Sequence, residues 1–585
     1  MRIFYNWLIL LLLAGFMVAC NKDYIKSNVA LEEQKAAPSI TGLSTPSGYI
    51  GDTLVIRGSF PQGGEVIFGT RKLDVIAATD KELTVVVPFG SGSAFVMVSA
   101  GILRSNKVTF TYNPPPPKQG IQIGNDYYSI DTATLMQVGP GTDYMVLHLL
   151  DRYGTNHLKV HLTFIDANHP NLSFKAVLAR DTVLNVETVP AMAVRKSTGG
   201  LNYFAGVNGD LFNNTTGNAN FGRVNYTSIV NGLITNMNYQ VPAYAPVYFN
   251  GNKIYFDDFQ FFSFVQLPDG EKIGIKNVNN GRGQDDLILF NNARGLRTYT
   301  NNFGTEMAVM PIGGTWGDYT SVRVRVNSKV VRGQPGNTAI PVGGAVVSAH
   351  DLTAIPLNRY GVGDTLTISN YAKNTATGDI VQQMVSGDVR ILTDGNITAP
   401  ATTKTARTVI GATADKSKIV FCAAEGIIPG ISVGVTAIEI AQILKLYGVE
   451  NAVNMNGGAF STMYIKGAGF NNTGLVNLPN NTTTAPNAGN ALYAVSNAPT
   501  DAIVVKLVTD TYSIRVKPNA SITPKFYGLN KYGHIALSNI TAVTMTGGEL
   551  GTIAGTTFIA GPNTGITYLN VAYNGLQAQI KVIIE

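Results

Sequence analysis

The chain has 585 residues, of which 45% are hydrophobic and 14% are charged, with a formal net charge of +6. This apolar, weakly charged composition excludes intrinsic disorder, and the basic residues form no block or stripe, so nucleic acid is not an expected partner. The length predicts three or four modules, and 62 Gly with 26 Pro favour strands joined by many turns.

The N-terminus is predicted to direct export. Arg2 precedes an apolar run that ends at Ala19-Cys20 and is followed by polar residues. Residues 1–19 resemble a bacterial lipoprotein signal peptide, in which Cys20 would be lipidated, and residues 20–36 would be a tether. The alternative is an ordinary cleaved signal peptide. The protein is expected to be anchored to a bacterial membrane through the lipid on Cys20. The cell surface is one candidate location.

Residues 37–113 read as short alternating strands separated by turns, which predicts a small β-sandwich. The segments PSGYIGDTLVIRG and LTVVVPFGSG resemble the IPT/TIG immunoglobulin-like module. Residues 114–119 contain four consecutive prolines and predict a stiff linker before the next domain.

Residues 120–496 contain one strongly amphipathic helical segment, flanked by two apolar strands. The first strand is predicted at 418–424 and the second at 452–455. The helix is predicted to begin after Thr436, with Glu439 completing a capping box, and to stop at Gly448. Cys422 lies in the first strand and is expected to be a buried hydrophobe.

If these two strands are parallel, their carboxyl ends and the helix N-terminus share one edge of the sheet. Glu425, the loop from Ser432 to Thr436, and the segment from Asn454 to Thr462 would then converge. Free N–H groups at a helix start favour an anion, and ligands of open α/β sheets bind at strand carboxyl ends. The sequence therefore predicts a site here.

The same region carries motifs of a known family. The segments ARTVIG at 406–411, GISVGVT at 430–436, NAVNMNGGAFSTM at 451–463 and FAGVNGDLF at 204–212 resemble the phosphodiester glycosidase family. That family includes N-acetylglucosamine-1-phosphodiester α-N-acetylglucosaminidase. The segments VSAH at 347–350 and SGD at 386–388 fit more weakly.

The resemblance implies hydrolysis of the bond between a sugar anomeric carbon and a phosphodiester oxygen. Arg407 is the candidate for holding the phosphate, and Asp210 and Glu425 are candidates for general acid or base. The expected partner is a carbohydrate or glycosyl phosphate. The candidates for substrate binding are Asn208, Thr408, Ser432, Thr436, Asn454, Asn456, Gly457, Gly458, Ser461 and Thr462.

One position departs from the family pattern. The family loop usually carries Asp where this chain has Asn456, and an amide neither takes up a proton nor carries a full charge to a metal. A catalytically impaired, glycan-binding lipoprotein is therefore the alternative to an enzyme, and a structural adhesin is a third class. No cofactor and no metal ligand set is predicted, although a divalent cation is left open.

Two other patterns are set aside. His157 and His161 have the spacing of helical metal ligands, but their segment alternates like a strand, which would place them roughly 13 Å apart. The GISVG segment matches a nucleophile elbow, but no strand runs directly into the turn, so a nucleophilic Ser432 is not expected.

Residues 501–585 again read as short strands, from Ala502–Leu507 to Leu576–Ile583, and loosely resemble a bacterial Ig-like module. The predicted fold is thus multidomain: a central α+β domain with mixed β-sheets and few helices, flanked by two Ig-like β-sandwich domains. The sequence sets no oligomeric state.

Overall fold

The structure is a computed structural model that describes residues 37–48, 52–61, 63–69, 71–88, 93–112, 121–123, 126–151, 155–238, 245–318 and 320–584. The predicted signal peptide, Cys20, the tether and the Pro-rich linker lie outside these residues. The protein is mostly β, with 53% strand and 8% helix. The described residues fall into two units, one within Met1–Pro115 and the other within Pro116–Glu585.

The N-terminal unit consists of two sheets that share one apolar core. Its strands are β1 Ser39–Leu43, β2 Ser47–Gly48, β3 Thr53–Ser59, β4 Glu65–Phe68, β5 Arg71–Leu73, β6 Val75–Ala78, β7 Glu82–Val86, β8 Ser93–Ala100, β9 Leu103–Arg104 and β10 Val108–Tyr112. One sheet has the order β1-β3-β7-β6 and the other β2-β10-β8-β4-β5, with β9 on β8. Alternating residues such as Leu54 and Ile56 of β3 are buried, as the period-2 pattern requires.

The second unit begins with strands that build a large part of the site. These are β11 Ile121–Ile123, β12 Asp126–Gly139, β13 Thr142–Asp151, β14 His157–Asp166, β15 Leu172–Leu178, β16 Glu187–Thr188, β17 Asn202–Asn208, β18 Ser228–Val230, β19 Leu233–Asn238, β20 Ala245–Asn250, β21 Lys253–Tyr255, β22 Phe259–Gln266, β23 Lys272–Gly274, β24 Asn277–Val278 and β25 Leu287–Asn291. His157 and His161 both lie in β14, as the alternating pattern predicts.

The remaining strands continue the same unit to its end. They are β26 Gly304–Pro311, β27 Ser321–Val330, β28 Ala345–His350, β29 Thr365–Asn374, β30 Gln383–Gly387, β31 Val389–Thr393, β32 Asn396–Ile397, β33 Arg407–Thr413, β34 Lys418–Ala424, β35 Ile427–Ile428, β36 Ser432–Val433, β37 Val449–Asn454, β38 Met463–Ile465, β39 Asn487–Ala488, β40 Asn490–Ser496, β41 Lys506–Thr509, β42 Ser513–Val516, β43 Ser521–Ile522, β44 Phe526–Leu529, β45 Ile535–Leu537, β46 Thr544–Gly547, β47 Gly551–Ala554, β48 Thr557–Ala560, β49 Gly565–Tyr573 and β50 Leu576–Ile584. The α-helices among the described residues are α1 Val189–Lys196, α2 Ala354–Leu357 and α3 Ala437–Leu446. None of the helices in this described part of the chain combines the length and apolar character of a membrane span.

The two predicted strands lie inside the central sheet, with their carboxyl ends along one edge of it. Its order is β11-β12-β13-β14-β34-β33-β37-β31-β32. Strand β33 is antiparallel to both β34 and β37, so these two strands run in the same direction with β33 between them. Their carboxyl ends therefore meet beside the start of β33 at Arg407. The prediction of a shared edge is confirmed, with an intervening strand that the strand–helix–strand pattern did not reveal.

Helix α3 forms where the sequence predicts it. Thr436 accepts from the Glu439 amide, and the Glu439 side chain accepts from the Thr436 amide, which completes the capping box. The helix ends before Gly448, whose φ of +76° is the left-handed conformation that glycine adopts without strain. Cys422 of β34 is fully buried, as predicted.

A second sheet, with the order β15-β40-β17-β38, packs against the central sheet. The shared core includes Ile410 and Phe421 from the central sheet and Val207 and Leu492 from the second. This layer brings the end of β17, at Asn208, next to the edge where β33 begins. The residues between β18 and β30 form a further large sheet, with its own core.

The C-terminal strands form three small sheets, with orders β41-β44-β45, β42-β50-β49-β46 and β43-β48-β47. The predicted strand at Leu576–Ile583 is present as β50. The predicted strand at Ala502–Leu507 is wrong for its first four residues, because β41 begins at Lys506. Asp501 accepts from the Ile503 amide through Oδ1, a local turn that keeps this stretch out of the sheet.

Candidate active site

Arg407 opens β33 and fastens the loop that leads into α3. Its Nε donates to the Val435 carbonyl at 3.1 Å, and Nη2 donates to Thr402 Oγ1 at 2.7 Å and to the Thr403 carbonyl at 3.0 Å. Nη1 donates to Asn454 Oδ1 at 3.3 Å. Four of the five guanidinium N–H groups thus have protein acceptors, and the side chain is only 6% exposed. Burial lowers the pKa of Arg407.

Asn454, at the end of β37, connects Arg407 to a carboxylate. Its Nδ2 donates to Asp388 Oδ1 at 2.8 Å and to the Met455 carbonyl at 3.0 Å. Asn454 is buried, whereas Asp388 is exposed to solvent. Desolvation by its neighbours raises the pKa of Asp388, against the opposing effects of the Asn454 hydrogen bond and the Arg407 charge.

Asp210 provides a second carboxyl group, which is 1% exposed. Its Oδ1 accepts from the Ser386 amide, whereas Oδ2 is buried without a hydrogen-bond partner among the described residues. Burial raises the pKa of Asp210 well above its ordinary value, so the group favours the protonated form.

Tyr226 lies close enough to both carboxyl groups to be affected by their charges. Burial raises the pKa of Tyr226, and the negative charges that Asp388 and Asp210 carry when ionised raise it further. Asp210, Tyr226 and Asp388 therefore lie together. Asp388 belongs to the SGD segment noted in the sequence but was not predicted to be catalytic, and nothing in the sequence pattern points to Tyr226.

Asn208 joins three segments of the site. Its Oδ1 accepts from Thr408 Oγ1 at 2.8 Å and from the Thr462 amide at 2.9 Å. Its Nδ2 donates to the Asn456 carbonyl at 2.7 Å. Asn208 thus fixes the ends of β17 and β33 and the loop after β37 relative to one another.

The loop after β37 lies against Asp210. The Asn456 amide donates to the Gly209 carbonyl at 3.1 Å, while its partly exposed side chain has no hydrogen-bond partner among the described residues. The Gly458 amide donates to the Ala406 carbonyl at 2.8 Å, with a φ of +61° that favours glycine.

The remaining loop residues are buried behind this turn. Ser461 is buried and its Oγ has no partner in the described part of the chain, whereas Thr462 Oγ1 donates to the Phe460 carbonyl at 3.0 Å. The Phe460 ring meets Phe212 edge to face, with centroids 5.2 Å apart. The bulky residue in this loop is thus part of an aromatic contact.

Glu425 follows the carboxyl end of β34 and is hydrogen-bonded to other protein groups. Its two oxygens accept from the Leu478 amide at 3.0 Å each, and Oε1 pairs with His161 Nε2 at 3.0 Å. Tyr144 Oη lies 2.7 Å from His161 Nδ1. Burial alone would raise the pKa of Glu425, but the hydrogen bond from His161, the charge of Lys159 and the Leu478 amide hold it below its ordinary value.

Since an ionised carboxylate only accepts, His161 Nε2 carries the proton and Nδ1 accepts from Tyr144. Burial lowers the pKa of His161, which favours this neutral ring. Ser432 Oγ donates to the Glu425 carbonyl at 3.2 Å and accepts from the Gly434 amide at 3.1 Å. Glu425 and Ser432 therefore support the loops around the site.

The first amides of α3 are also engaged by the protein itself. The Thr436 amide donates to Glu439 Oε2 at 2.7 Å, and the Glu439 amide donates to Thr436 Oγ1 at 3.1 Å. The Ala437 amide donates to Thr402 Oγ1 at 2.8 Å. The helix start lies at the predicted edge, and these three donors are already paired.

The chemistry that this arrangement offers is that of carboxyl groups and amides. An exposed carboxylate at Asp388 stands beside a buried carboxyl group at Asp210, whose pKa is raised by burial, and beside the unpaired side-chain amide of Asn456. Within the residues that the structure describes, no group of three or more His, Cys, Asp or Glu side chains is placed to hold a metal ion.

Solved structures of three proteins resemble this chain at low sequence identity. A hypothetical protein from Synechocystis has 14% identity and a TM-score of 0.47, over 79% of this chain and 81% of that one. A putative exported protein from Burkholderia pseudomallei K96243 has 14% identity and a TM-score of 0.45, over 79% of this chain and 97% of that one. The catalytic domain of zebrafish N-acetylglucosamine-1-phosphodiester α-N-acetylglucosaminidase, auto-inhibited by its pro-peptide, has 13% identity and a TM-score of 0.29, over 63% and 87% of the two chains.

No curated protein is significantly similar to the chain in sequence. A family model does match, over a segment that includes Asp388, Arg407, Glu425 and the loop from Asn454 to Thr462. This match agrees with the resemblance drawn from the motifs, although Asn208 and Asp210 lie outside the matched segment. Residues 320–495 match the model of the phosphodiester glycosidase family, a family of glycosidase-type hydrolases.

Proposed function

We propose that the chain hydrolyses a sugar-1-phosphodiester, with Asp388 as the carboxylate that contacts the substrate. The observation that carries this proposal is the exposed Asp388, oriented by buried Asn454, close to a buried Asp210 whose pKa is raised by burial. Glycoside cleavage uses a carboxyl group placed at the anomeric carbon. Asp388 is the solvent-accessible carboxyl group of this cluster.

The nature of the leaving group explains how one exposed carboxylate suffices. Water adds to the anomeric carbon while the bond from that carbon to the phosphodiester oxygen breaks. The second ionisation of a phosphate monoester has a pKa of about 6, so the leaving group departs as an anion without first taking a proton. The water proton passes to Asp388 and then to solvent, and the raised pKa of Asp388 makes it a stronger base.

The buried groups keep that base in place. Asp210 stays protonated, so it adds no second negative charge beside Asp388 and the anionic substrate. Arg407 lends positive charge to the site and holds Asn454, which in turn orients Asp388. We assign Arg407, Asn454 and Asn208 to positioning, since their polar atoms are mostly bonded to the protein.

We also propose that the enzyme acts outside the cytoplasm, as a lipoprotein anchored through Cys20 and flanked by two Ig-like domains. The apolar N-terminal segment that ends at Cys20 supports export, and the strand patterns at 37–113 and 501–585 support the flanking modules. The substrate would then be a carbohydrate phosphodiester of the cell envelope or its surroundings.

The second candidate function is binding of a glycan without turnover. Asn456 favours it, because its side chain is partly exposed and unpaired at the position where the family loop usually carries Asp. Such a protein would keep the site but lack a charged group needed for chemistry.

One assay separates the two. The purified chain is incubated with N-acetylglucosamine-1-phosphodiesters and other sugar-1-phosphodiesters, and the release of free reducing sugar is followed. We expect release of sugar together with a phosphate monoester. Binding of the same compounds by calorimetry without release of sugar would reject hydrolysis in favour of glycan binding.

A further inference from the structure

A cavity of about 360 Å³ lies between the central sheet and the C-terminal strands. One wall is formed by strands β12, β13 and β14 and the other by the segment from Asp510 to Tyr527. Both walls belong to the same unit of the chain. The polar lining of the cavity includes Tyr144, His148, Lys159, Ser513, Arg515 and Lys525.

The hydrogen-bond donors of this cavity that have no partner among the described residues include Lys159 and Ser513. The Lys159 ammonium group forms no ion pair or hydrogen bond with the described residues. Ser513 is 5% exposed, and its Oγ is buried without a partner in that part of the chain. Leaving a buried donor without an acceptor is unfavourable, and the Ser513 hydroxyl is such a donor. Burial lowers the pKa of Lys159, although the charge of nearby Glu425 opposes the shift.

Each of the two carboxylates that line the cavity has at least one oxygen bonded to a protein donor. Asp131 pairs with Arg515 at 2.9 Å. Asp510 Oδ1 accepts from Thr511 Oγ1 at 2.9 Å and from the Lys525 amide at 3.1 Å. A ligand that supplies oxygen acceptors would satisfy the unpaired donors of Lys159 and Ser513.

Charge points to the same ligand chemistry. Lys159, Lys525 and Arg515 line the cavity against Asp131 and Asp510, with Glu425 behind the Tyr144–His161 pair. Desolvation by its neighbours and the nearby charges of Lys159 and Arg515 lower the pKa of His148 to about 4. With Arg515 paired to Asp131, the ammonium groups of Lys159 and Lys525 are the positive charges available to a ligand.

The rest of the lining is apolar. Met136, Val146, Phe470, Ile514 and Tyr527 surround the polar groups. Ligand pockets typically combine an apolar lining with a few placed polar groups and have volumes of about 300–1,000 Å³. The cavity therefore has room for an oxyanion group at Lys159 and Ser513 with an organic body against the apolar wall.

We propose that this cavity binds a small organic anion, whose carboxylate or phosphate oxygens accept from Lys159 and Ser513. The cavity is separate from the site around Asp388, and the proposal does not depend on hydrolysis of a phosphodiester. The carboxylate and the phosphate share the same oxyanion chemistry at these two donors.

Isothermal calorimetry on the purified chain tests the proposal with three probes of one body: glucuronate, glucose 6-phosphate and neutral glucose. We expect at least one of the two anions to bind, and whichever binds more tightly identifies the acid group. Glucose should bind at least tenfold more weakly. No binding of either anion, or equal affinity for glucose, would overturn the proposal.

Two variants locate the binding. Lys159→Met keeps the length of the side chain and should weaken the anion at least tenfold, and Ser513→Ala should weaken it several-fold with little change in melting temperature. Lys445→Met, at an exposed position of α3, is the matched control and should bind like the parent chain. Unchanged affinity in both cavity variants would place the anion elsewhere and refute the assignment.

Discussion

Asn454 donates from Nδ2 to Oδ1 of Asp388 at 2.8 Å, and this bond fixes the orientation of an exposed carboxylate from a buried strand end. The same amide accepts from Arg407 through its Oδ1. Rotating the amide by half a turn would place a donor against the guanidinium and an acceptor against the carboxylate. The arrangement therefore holds Asp388 in one orientation, as a catalytic base requires.

Asp388→Asn should abolish most of the turnover without affecting the fold. General acid–base catalysis contributes about 10²- to 10⁴-fold, so kcat should fall by that factor. Asp388 is exposed, and the melting temperature should therefore change little. Asp80→Asn, at an exposed position of the N-terminal unit, is the matched control for charge and should keep full activity. A variant at Asp388 that retains turnover would remove this residue from the mechanism.

Arg407→Lys should destabilise the protein, because one amine cannot reach the acceptors at Val435, Thr402 and Thr403 together. Hydrogen bonds to a charged group contribute about 1.5–3 kcal/mol each, and losing at least two of the four should lower the free energy of unfolding by about 3 kcal/mol or more. Denaturant titration measures the loss.

Lys404→Met controls for the loss of a nearby positive charge, since Lys404 is a partly exposed partner of Glu439 at 3.4 Å. Its free energy of unfolding should fall by less than about 1 kcal/mol. If Arg407 served the substrate alone, Arg407→Lys would alter KM or kcat and leave the unfolding curve in place.

Much of the site edge could be predicted from the sequence, because local signals set it. The capping box at Thr436 and Glu439 and the apolar run around Cys422 depend on neighbouring residues, and both are confirmed. Period-2 alternation likewise distinguishes the strand that holds His157 and His161 from a helix.

What the sequence could not supply is long-range pairing. Strand β33 lies between β34 and β37, and nothing in a strand–helix–strand pattern indicates an antiparallel insertion. Asp388 and Asp210 are 178 positions apart, and their proximity to Tyr226 depends on how three sheets meet. The hydrogen bonds of Arg407 are equally invisible in the motif, which specifies a residue type and not its partners.

Asp210→Asn should change the pH dependence of stability. Burial raises the folded-state pKa of Asp210 above its ordinary value of 3.8, so the folded state holds a proton that the unfolded chain releases. Stability from this group is complete below that ordinary value and is lost as pH rises toward the folded pKa. The free energy of unfolding of the parent chain should therefore fall relative to that of Asp210→Asn between pH 4 and pH 7.

Urea unfolding at several pH values in that range measures this difference. Asp415→Asn is a suitable control, because hydrogen bonds from Thr413 and Ser417 lower the pKa of Asp415, so its contribution to stability changes mainly below its ordinary value of 3.8 and its curve should stay nearly parallel to that of the parent chain in this range. Parallel curves for the parent chain and Asp210→Asn would mean that Asp210 is ionised in the folded protein.

Asn456→Asp should reveal whether the loop after β37 limits activity. The Asn456 side chain is partly exposed and unpaired among the described residues, so the new carboxylate needs no rearrangement and stability should stay within about 0.5 kcal/mol. If the acidic residue usual at this position takes part in proton transfer, turnover of a sugar-1-phosphodiester should rise at least tenfold. Asn563→Asp, at an exposed position near the C-terminus, controls for the added charge and should leave the rate unchanged. If the rate stays the same or falls in Asn456→Asp, the amide at position 456 does not limit turnover, because the added carboxylate brings no gain in rate.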